Sequence, residues 1–83
     1  MKIAVHLFGP QARMVGQGAI EFDRSDGPVT CATLREWLMR AAPELTESLP
    51  TSRFAVNHEY VIDELQSIGP EDEVALIGMV SGG

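Results

Sequence analysis

The stretch that decides the fold is TCATLREWLMRAA, residues 30–42. Its apolar residues recur at intervals of three and four, which collects them on one face of an α-helix. They are Cys31, Leu34 and Leu38, followed by Ala41 or Ala42. Thr30 is a typical N-cap. Pro43 either ends the helix or opens a second short turn in which Leu45 and Leu49 face inward. The pattern predicts one substantial helix.

The chain before this helix predicts a β-hairpin. Residues 2–8 alternate with the period of a strand, with Ile3, Val5 and Leu7 on one face and Ala4, His6 and Phe8 on the other. Gly9-Pro10 ends this strand, and residues 11–18 form a loop or a short helical turn. Residues 19–22 then supply a second strand, which a short connection allows to pair with the first. Residues 23–28 carry turn chemistry.

The chain after the helix predicts three further strands. Residues 53–56 alternate, and Asn57-His58 supplies a turn before a short strand at residues 60–62. Residues 69–72 are a second turn cluster, and residues 73–77 are the last strand. The order is therefore strand, strand, helix, strand, short strand, strand.

This order predicts an α+β fold of the β-grasp type. A mixed sheet of about five strands, with the one main helix packed on one face, buries the apolar face of each element. A chain of 83 residues is too short for two separate cores. We therefore expect a single domain over residues 1–83, with residues 79–83 as a flexible, extended C-terminal tail.

Composition excludes several classes of function. A formal net charge of -6 repels phosphate backbones and anionic lipids, so we expect neither nucleic acid nor a membrane as a partner. The N-terminus lacks the features of a secretory signal, and no window has the roughly eighteen apolar residues of a membrane span. Cys31 is the only cysteine, which leaves no intramolecular disulfide and indicates a cytoplasmic protein. His6 and His58 have no partners at metal-ligand spacing, so no metal site is predicted.

The residues with the clearest chemical meaning are Gly82 and Gly83 at the C-terminus. About five residues follow the last predicted strand and can reach at most roughly 17 Å. Glycine has no Cβ, so this end can thread a narrow channel and present an unshielded carboxylate. A carboxylate is a poor electrophile until ATP converts it to an acyl adenylate, from which a sulfur source can displace AMP. Deleting Gly83 should therefore abolish function and leave the fold intact.

Several motifs along the chain resemble the small, sulfur-carrying subunits of molybdopterin synthases, within the ubiquitin-like group that also holds the thiamine-pathway sulfur carrier. The motifs are Leu7-Phe8 with Gly16 eight residues after Phe8, Thr30 through Leu34-Arg35, Ala55-Val56-Asn57, Asp72-Glu73-Val74-Ala75, and Val80-Ser81-Gly82-Gly83. Together they cover essentially the whole chain.

The resemblance implies a specific role. A ubiquitin-activating-like enzyme would use ATP to adenylate Gly83, which would become a thiocarboxylate. The large synthase subunit would then take the tail, Met79, Val80, Ser81 and Gly82, and sulfur would pass to cyclic pyranopterin monophosphate. The catalytic groups would belong to the large subunit, in a heterotetramer of two copies of each chain, and this chain would bind no cofactor of its own.

The chain also departs from the family pattern. It has Phe8-Gly9 in place of a Phe-Ala pair, and Ala12 where an arginine is usual, with Arg13 one place later. Ile77-Gly78-Met79 replaces the paired prolines often found before the tail. Phe8 and Arg13 are candidate interface residues. Phe8 and Met79 are of a type more often found in a core; the alternative is that they join one apolar docking patch for the large subunit, since a mixed sheet with one helix leaves its other face open.

Three other interpretations stay open. The first is a sulfur carrier for thiamine or another thio-metabolite. The second is a protein modifier joined through Gly83 to a lysine, and the third is a non-covalent adaptor. A modifier forms isopeptide adducts with other proteins, whereas a carrier appears as a thiocarboxylate. Cys31 lies on the apolar stripe of the helix, which is typical of a small core residue and not of a sulfur relay.

Overall fold

A computed structural model describes residues 1–24 and 27–79. The predicted reactive end, Val80, Ser81, Gly82 and Gly83, lies outside the described residues. The elements in chain order are β1 (Lys2–His6), α1 (Gly9–Val15), β2 (Ala19–Asp23), β3 (Val29–Thr30), α2 (Cys31–Ala41), two 3-10 turns (Pro43–Leu45 and Leu49–Thr51), β4 (Ser52–Val56), β5 (Glu59–Tyr60), β6 (Ser67–Ile68) and β7 (Val74–Gly78). Within the described ranges, no helix is long and apolar enough to cross a membrane.

A five-stranded mixed sheet organises the chain. Its strand order is β2-β1-β7-β4-β5. The central pair, β1 and β7, is parallel, and the other pairs are antiparallel. The predicted mixed sheet and its early hairpin are confirmed. The predicted strand at residues 60–62 is shorter and begins earlier, because Asn57 and His58 both adopt positive φ in a two-residue turn that pairs Val56 with Glu59.

The core lies between this sheet and α2. Thr30 caps the helix as predicted, since its Oγ1 accepts a hydrogen bond from the Thr33 N–H at 3.2 Å. Leu34 and Leu38 of α2 are fully buried. They belong to one apolar cluster with residues of the strands, among them Ile3, Val5, Phe54, Val74 and Leu76. The 3-10 turns after Pro43 add Leu45 and Leu49 to the same cluster, as the sequence indicated.

The segment after β1 is a short helix, α1. The sequence predicted a loop or a short helical turn here, and the structure shows the helical alternative. Pro10 lies in its first turn, where a missing N–H costs nothing. The helix ends at Gly16, whose φ of 83° is the left-handed conformation that favours glycine. Its N–H donates to the Ala12 carbonyl at 2.8 Å. Gly16 is thus required by the turn that sends the chain into β2.

A second, two-stranded sheet was not predicted. β3 pairs antiparallel with β6, with Val29 opposite Ile68. Both of these residues are buried in the main core. The loop before β6 is also tied to α2, because the Ala32 N–H donates to the Glu64 carbonyl at 2.9 Å. The small sheet therefore closes the core at the start of α2.

Arg35 holds this loop to α2 and to β4. Its guanidinium makes a bidentate pair with the Glu64 carboxylate, at 2.9 and 2.5 Å. It also donates to the carbonyls of Leu49 and Ser52. The same group lies 5.3 Å from the centre of the Phe54 ring. The hydrogen bonds from Arg35 lower the pKa of Glu64.

Replacing Arg35 with methionine is expected to lower the free energy of unfolding by about 2 kcal/mol at neutral pH, because it leaves a carboxylate and two carbonyls without their donor. The folded-state pKa of Glu64 lies below its unfolded value, so this stabilisation is present above the unfolded value and is lost as pH falls through the folded one. Urea unfolding of both chains between pH 7 and pH 3 measures the difference. A deficit that stays constant with pH would contradict the ion-pair explanation.

Candidate functional site

The candidate site lies on the face of the sheet opposite α2. The register places one residue from each strand in a row across this face. We call it the cross-sheet row, and in strand order it consists of Ala19, His6, Ala75, Ala55 and Tyr60. Its centre is Ala75 opposite Ala55. Because alanine has a small side chain, the centre of this face is recessed and is surrounded by larger side chains.

A depression of about 480 Å³ lies over the centre of the row. Its lining consists of His6, Phe8, Ala55, His58, Tyr60, Glu73, Ala75 and Ile77. Phe8 is 57% exposed and Tyr60 is 52% exposed. The interpretation of Phe8 as a core residue is therefore wrong, because Phe8 directly precedes α1 and faces the depression on the uncovered side of the sheet. Such a concave apolar surface with aromatic rims is typical of a protein docking site.

One end of the depression is polar. His58 Nε2 lies 3.3 Å from Glu73 Oε1, and both side chains are largely exposed. The turn beneath them is fixed by Asn57, whose side chain accepts from the Glu73 N–H at 2.9 Å and donates to Asp72 at 3.0 Å. Hydrogen bonds from the Gly69 N–H and then from Asn57 lower the pKa of Asp72. The site thus joins an apolar floor to a rigid, charged rim.

The two histidines meet at this site although the sequence separates them. His6 and His58 both line the depression. Within residues 1–24 and 27–79, no group of three or more His, Cys, Asp or Glu side chains is gathered as a metal site would need. Both histidines are exposed and lie next to the apolar floor.

The predicted tail leaves the sheet beside β4. Of its residues the structure describes Met79, whose N–H donates to the Thr51 carbonyl at 3.1 Å. Met79 is 41% exposed, so its interpretation as a core residue is also wrong. It lines a second depression together with Ile62, which is 99% exposed. Phe8 and Met79 therefore do not share one patch.

Arg13 is exposed in the last turn of α1. It does not line the depression over the cross-sheet row. The structure brings together Phe8, both histidines and the alanine pair, but not Arg13. Its place in an interface stays a prediction.

Cys31 is buried in the first turn of α2. Burial, and then the nearby Glu64 carboxylate, raise the pKa of its thiol to about 11. A thiol with this pKa is ionised to roughly one part in a thousand at pH 8. Cys31 is therefore poorly suited to attack a persulfide.

We expect Cys31 to react with iodoacetamide at pH 8 at least about a hundred times more slowly in the folded chain than in urea, because the thiolate is the reactive form. Mass spectrometry of timed samples measures both rates. The Cys31→Ala chain should gain sulfur at its C-terminus as fast as the parent does. Rapid labelling of the folded chain, or loss of sulfur gain in Cys31→Ala, would instead indicate a relay.

The sheet order, the helix across one face and the described start of a tail define a class, the ubiquitin-like β-grasp proteins. A family model described as the ThiS family matches residues 5–83. The chain therefore belongs to the ThiS family.

Two relatives extend over nearly the whole chain. The molybdopterin synthase sulfur carrier subunit of Dictyostelium discoideum is 33% identical over 78 residues, which are 93% of this chain and 91% of the relative. The subunit of the same name from Chlamydomonas reinhardtii is 33% identical over 84 aligned positions, covering all of both chains.

Solved structures agree on the fold. SAMP1 from Haloferax volcanii superposes with a TM-score of 0.80 at 24% identity, over all of both chains. A chain from the complex of subunits 1 and 2 of the molybdopterin-converting factor of Helicobacter pylori superposes with a TM-score of 0.71 at 22% identity, again over all of both chains. These likenesses confirm the predicted β-grasp fold.

Proposed function

We propose that this chain is the sulfur carrier subunit of a molybdopterin synthase. The observation that carries the proposal is the 33% identity to two proteins of that name over nearly their whole lengths. The alignment with the Chlamydomonas protein covers all of this chain, and so includes Gly82-Gly83. The motifs that carry the resemblance in the sequence point to the same family.

In this proposal the chain supplies a carboxylate and a docking surface. An adenylating enzyme of the ubiquitin-activating type joins the Gly83 carboxylate to AMP and releases pyrophosphate from ATP. The terminal sulfur of a persulfide donor then attacks the acyl carbon and displaces AMP. A thiol cleaves the resulting acyl disulfide, which leaves a thiocarboxylate on Gly83 and a disulfide on the donor. The large subunit holds cyclic pyranopterin monophosphate and the catalytic groups, and two sulfur transfers build the dithiolene. This chain holds no cofactor itself.

The uncovered sheet face is the proposed surface for the large subunit. Its apolar floor and its aromatic rim of Phe8 and Tyr60 suit a hydrophobic interface. The solved relative from Helicobacter pylori is itself a complex of subunits 1 and 2, which supports a two-subunit assembly. We propose a heterotetramer with two copies of each chain. A cytoplasmic location is proposed with it, because Cys31 is the only cysteine.

The test is the intact mass of the chain after incubation with ATP, the cognate adenylating enzyme, a persulfide donor and a thiol reductant. The expected result is a mass gain equal to the exchange of one oxygen for sulfur. No gain, with an enzyme that demonstrably adenylates the chain, would contradict the carrier function. Adducts with lysines of other proteins would instead support a protein modifier. Sulfur transfer that ends in thiamine synthesis would support a different acceptor.

A further inference from the structure

The chain leaves the sheet next to an arginine, Arg53. This residue lies in β4 opposite Ile77 of β7, and it lines the same depression as Met79. Met79 is its diagonal neighbour across the ladder, at about 7 Å. The Arg53 side chain is exposed, and it forms no ion pair among residues 1–24 and 27–79. A cation with no partner in this part of the chain therefore stands beside the point from which the tail departs.

The other cation that lines this depression is also an arginine, Arg35. The chain has six basic residues, and Lys2 is the only lysine among them. A guanidinium group stays protonated in a protein, whereas a lysine amine loses its proton readily enough to act as a nucleophile towards carbonyl carbon. Neither cation of the depression can therefore accept an acyl group.

The only lysine lies at the opposite end of the sheet. β1 and β7 are parallel, with Val5 beside Val74. Lys2 precedes Val5 by three residues and Met79 follows Val74 by five, which separates Lys2 from Met79 by about 26 Å along the strands. The four residues after Met79 reach at most about 14 Å. The remaining gap of about 12 Å is longer than an extended lysine side chain. The Lys2 amine is therefore out of reach of Gly83 in the same chain.

Two other nucleophiles are no better placed. The Met1 amine donates to the Arg24 carbonyl at 2.7 Å, which keeps it at the same end of the sheet as Lys2. The Cys31 thiol is buried in the core. Among residues 1–24 and 27–79, no amine or thiol thus lies where an activated Gly83 could reach it in the folded chain.

We propose that Arg53 is a specificity-determining residue for the acyl transfer, because it places a positive charge beside the tail on a group that cannot take the acyl carbon. The activated Gly83 then stays available to a sulfur nucleophile. This inference rests on the proposed function, in which Gly83 becomes an acyl adenylate. A lysine amine in the same place would attack the acyl carbon, form a C–N bond and displace AMP, and its proton would pass to solvent. The product would be an internal amide, which can carry no sulfur.

The test uses the full chain prepared with a C-terminal alkyl thioester, which replaces the adenylate and needs no partner enzyme. In Arg53→Lys at pH 8, the amine should displace the alkyl thiol and form the internal amide. We expect the thioester to disappear about tenfold faster or more than in the parent, because a tethered amine acts at a roughly millimolar effective concentration. The parent should give only the free acid, by hydrolysis. Intact mass distinguishes the products, since the internal amide is lighter than the free acid by one water.

Three control variants separate reach from charge. Arg53→Gln removes the charge without adding an amine and should give only the free acid. Arg24→Lys makes the same substitution at the far end of the sheet, where the Arg24 N–H donates to the Met1 carbonyl at 3.0 Å, and should also give only the free acid. Lys2→Arg should match the parent. An internal amide in the parent or in Arg24→Lys, or none in Arg53→Lys, would overturn the role of Arg53.

The enzymatic reaction distinguishes this inference from the proposed function. With ATP and the cognate adenylating enzyme but no sulfur donor, the parent should release AMP by hydrolysis and form no internal amide. An internal amide in this reaction would overturn the inference and leave the adenylation of Gly83 established. If the parent chain is not adenylated at all, the proposed function fails, and the thioester measurement still decides whether Arg53 prevents internal capture of the acyl group.

Discussion

Converting the Gly83 carboxylate to a carboxamide is expected to abolish the gain of sulfur to below detection, because an amide oxygen cannot attack the α-phosphate of ATP as a carboxylate does. A chain that ends at Gly82 should lose the same activity for a different reason, since its carboxylate lies one residue, about 3.5 Å, short of the reacting phosphate. The intact-mass assay measures both.

The amide variant is the sharper of the two, because it keeps every residue of the tail. Its thermal unfolding should match that of the parent within experimental error, since among residues 1–24 and 27–79 the core cluster ends at Leu76 and does not include Met79. Its Kd for the large subunit should be unchanged or only modestly higher than that of the parent. Sulfur gain by the amide variant would show that the sulfur is attached elsewhere, and the carrier mechanism would then be wrong.

Replacing Ala75 with arginine is expected to weaken binding to the large subunit by about a hundredfold or more. The new side chain would stand at the centre of the depression, where a guanidinium would displace an apolar partner group and lose its own water. Ala75 lies on the uncovered face, so the free energy of unfolding should change by less than about 1 kcal/mol. Titration calorimetry with the large subunit measures the loss.

The matched control is Ala4→Arg. Ala4 is exposed in β1 and lies on the same face as His6, yet it does not line the depression. The same substitution there should change the Kd less than threefold. If both variants bind equally well, the partner does not use the depression over the cross-sheet row. If both lose binding equally, the general charge of the face matters and the depression does not.

Periodicity explains how far the fold could be predicted. The long helix and the first hairpin each extend over enough residues for an apolar repeat to be counted, and the structure confirms both. β3 and β6 contain two residues each, so they have no countable period. Their pairing joins Val29 to Ile68 across the whole of α2. Only tertiary packing determines such a pair.

The candidate site was less predictable than the fold. The alternation over residues 2–8 already placed Phe8 on the face opposite to Ile3 and Val5, which by itself indicates exposure. Placing Ala55 opposite Ala75 requires the register of β4 against β7. This register cannot be derived from the apolar pattern of the sequence. Arg53 was missed for the same reason, because its place beside Met79 depends on that register. The tail chemistry rests on residues 80–83, and it stays a prediction.

The position of β7 has a consequence for how the chain is made. This strand lies between β1 and β4, and it pairs Val74 with Val5 at the far end of the sequence. A nascent chain on the ribosome can form the first hairpin and α2 early, but the middle of its sheet stays empty until residue 78 has emerged. A product that stops before β7 has no route to the native sheet. Translation must therefore reach β7 before any partner can meet a folded carrier.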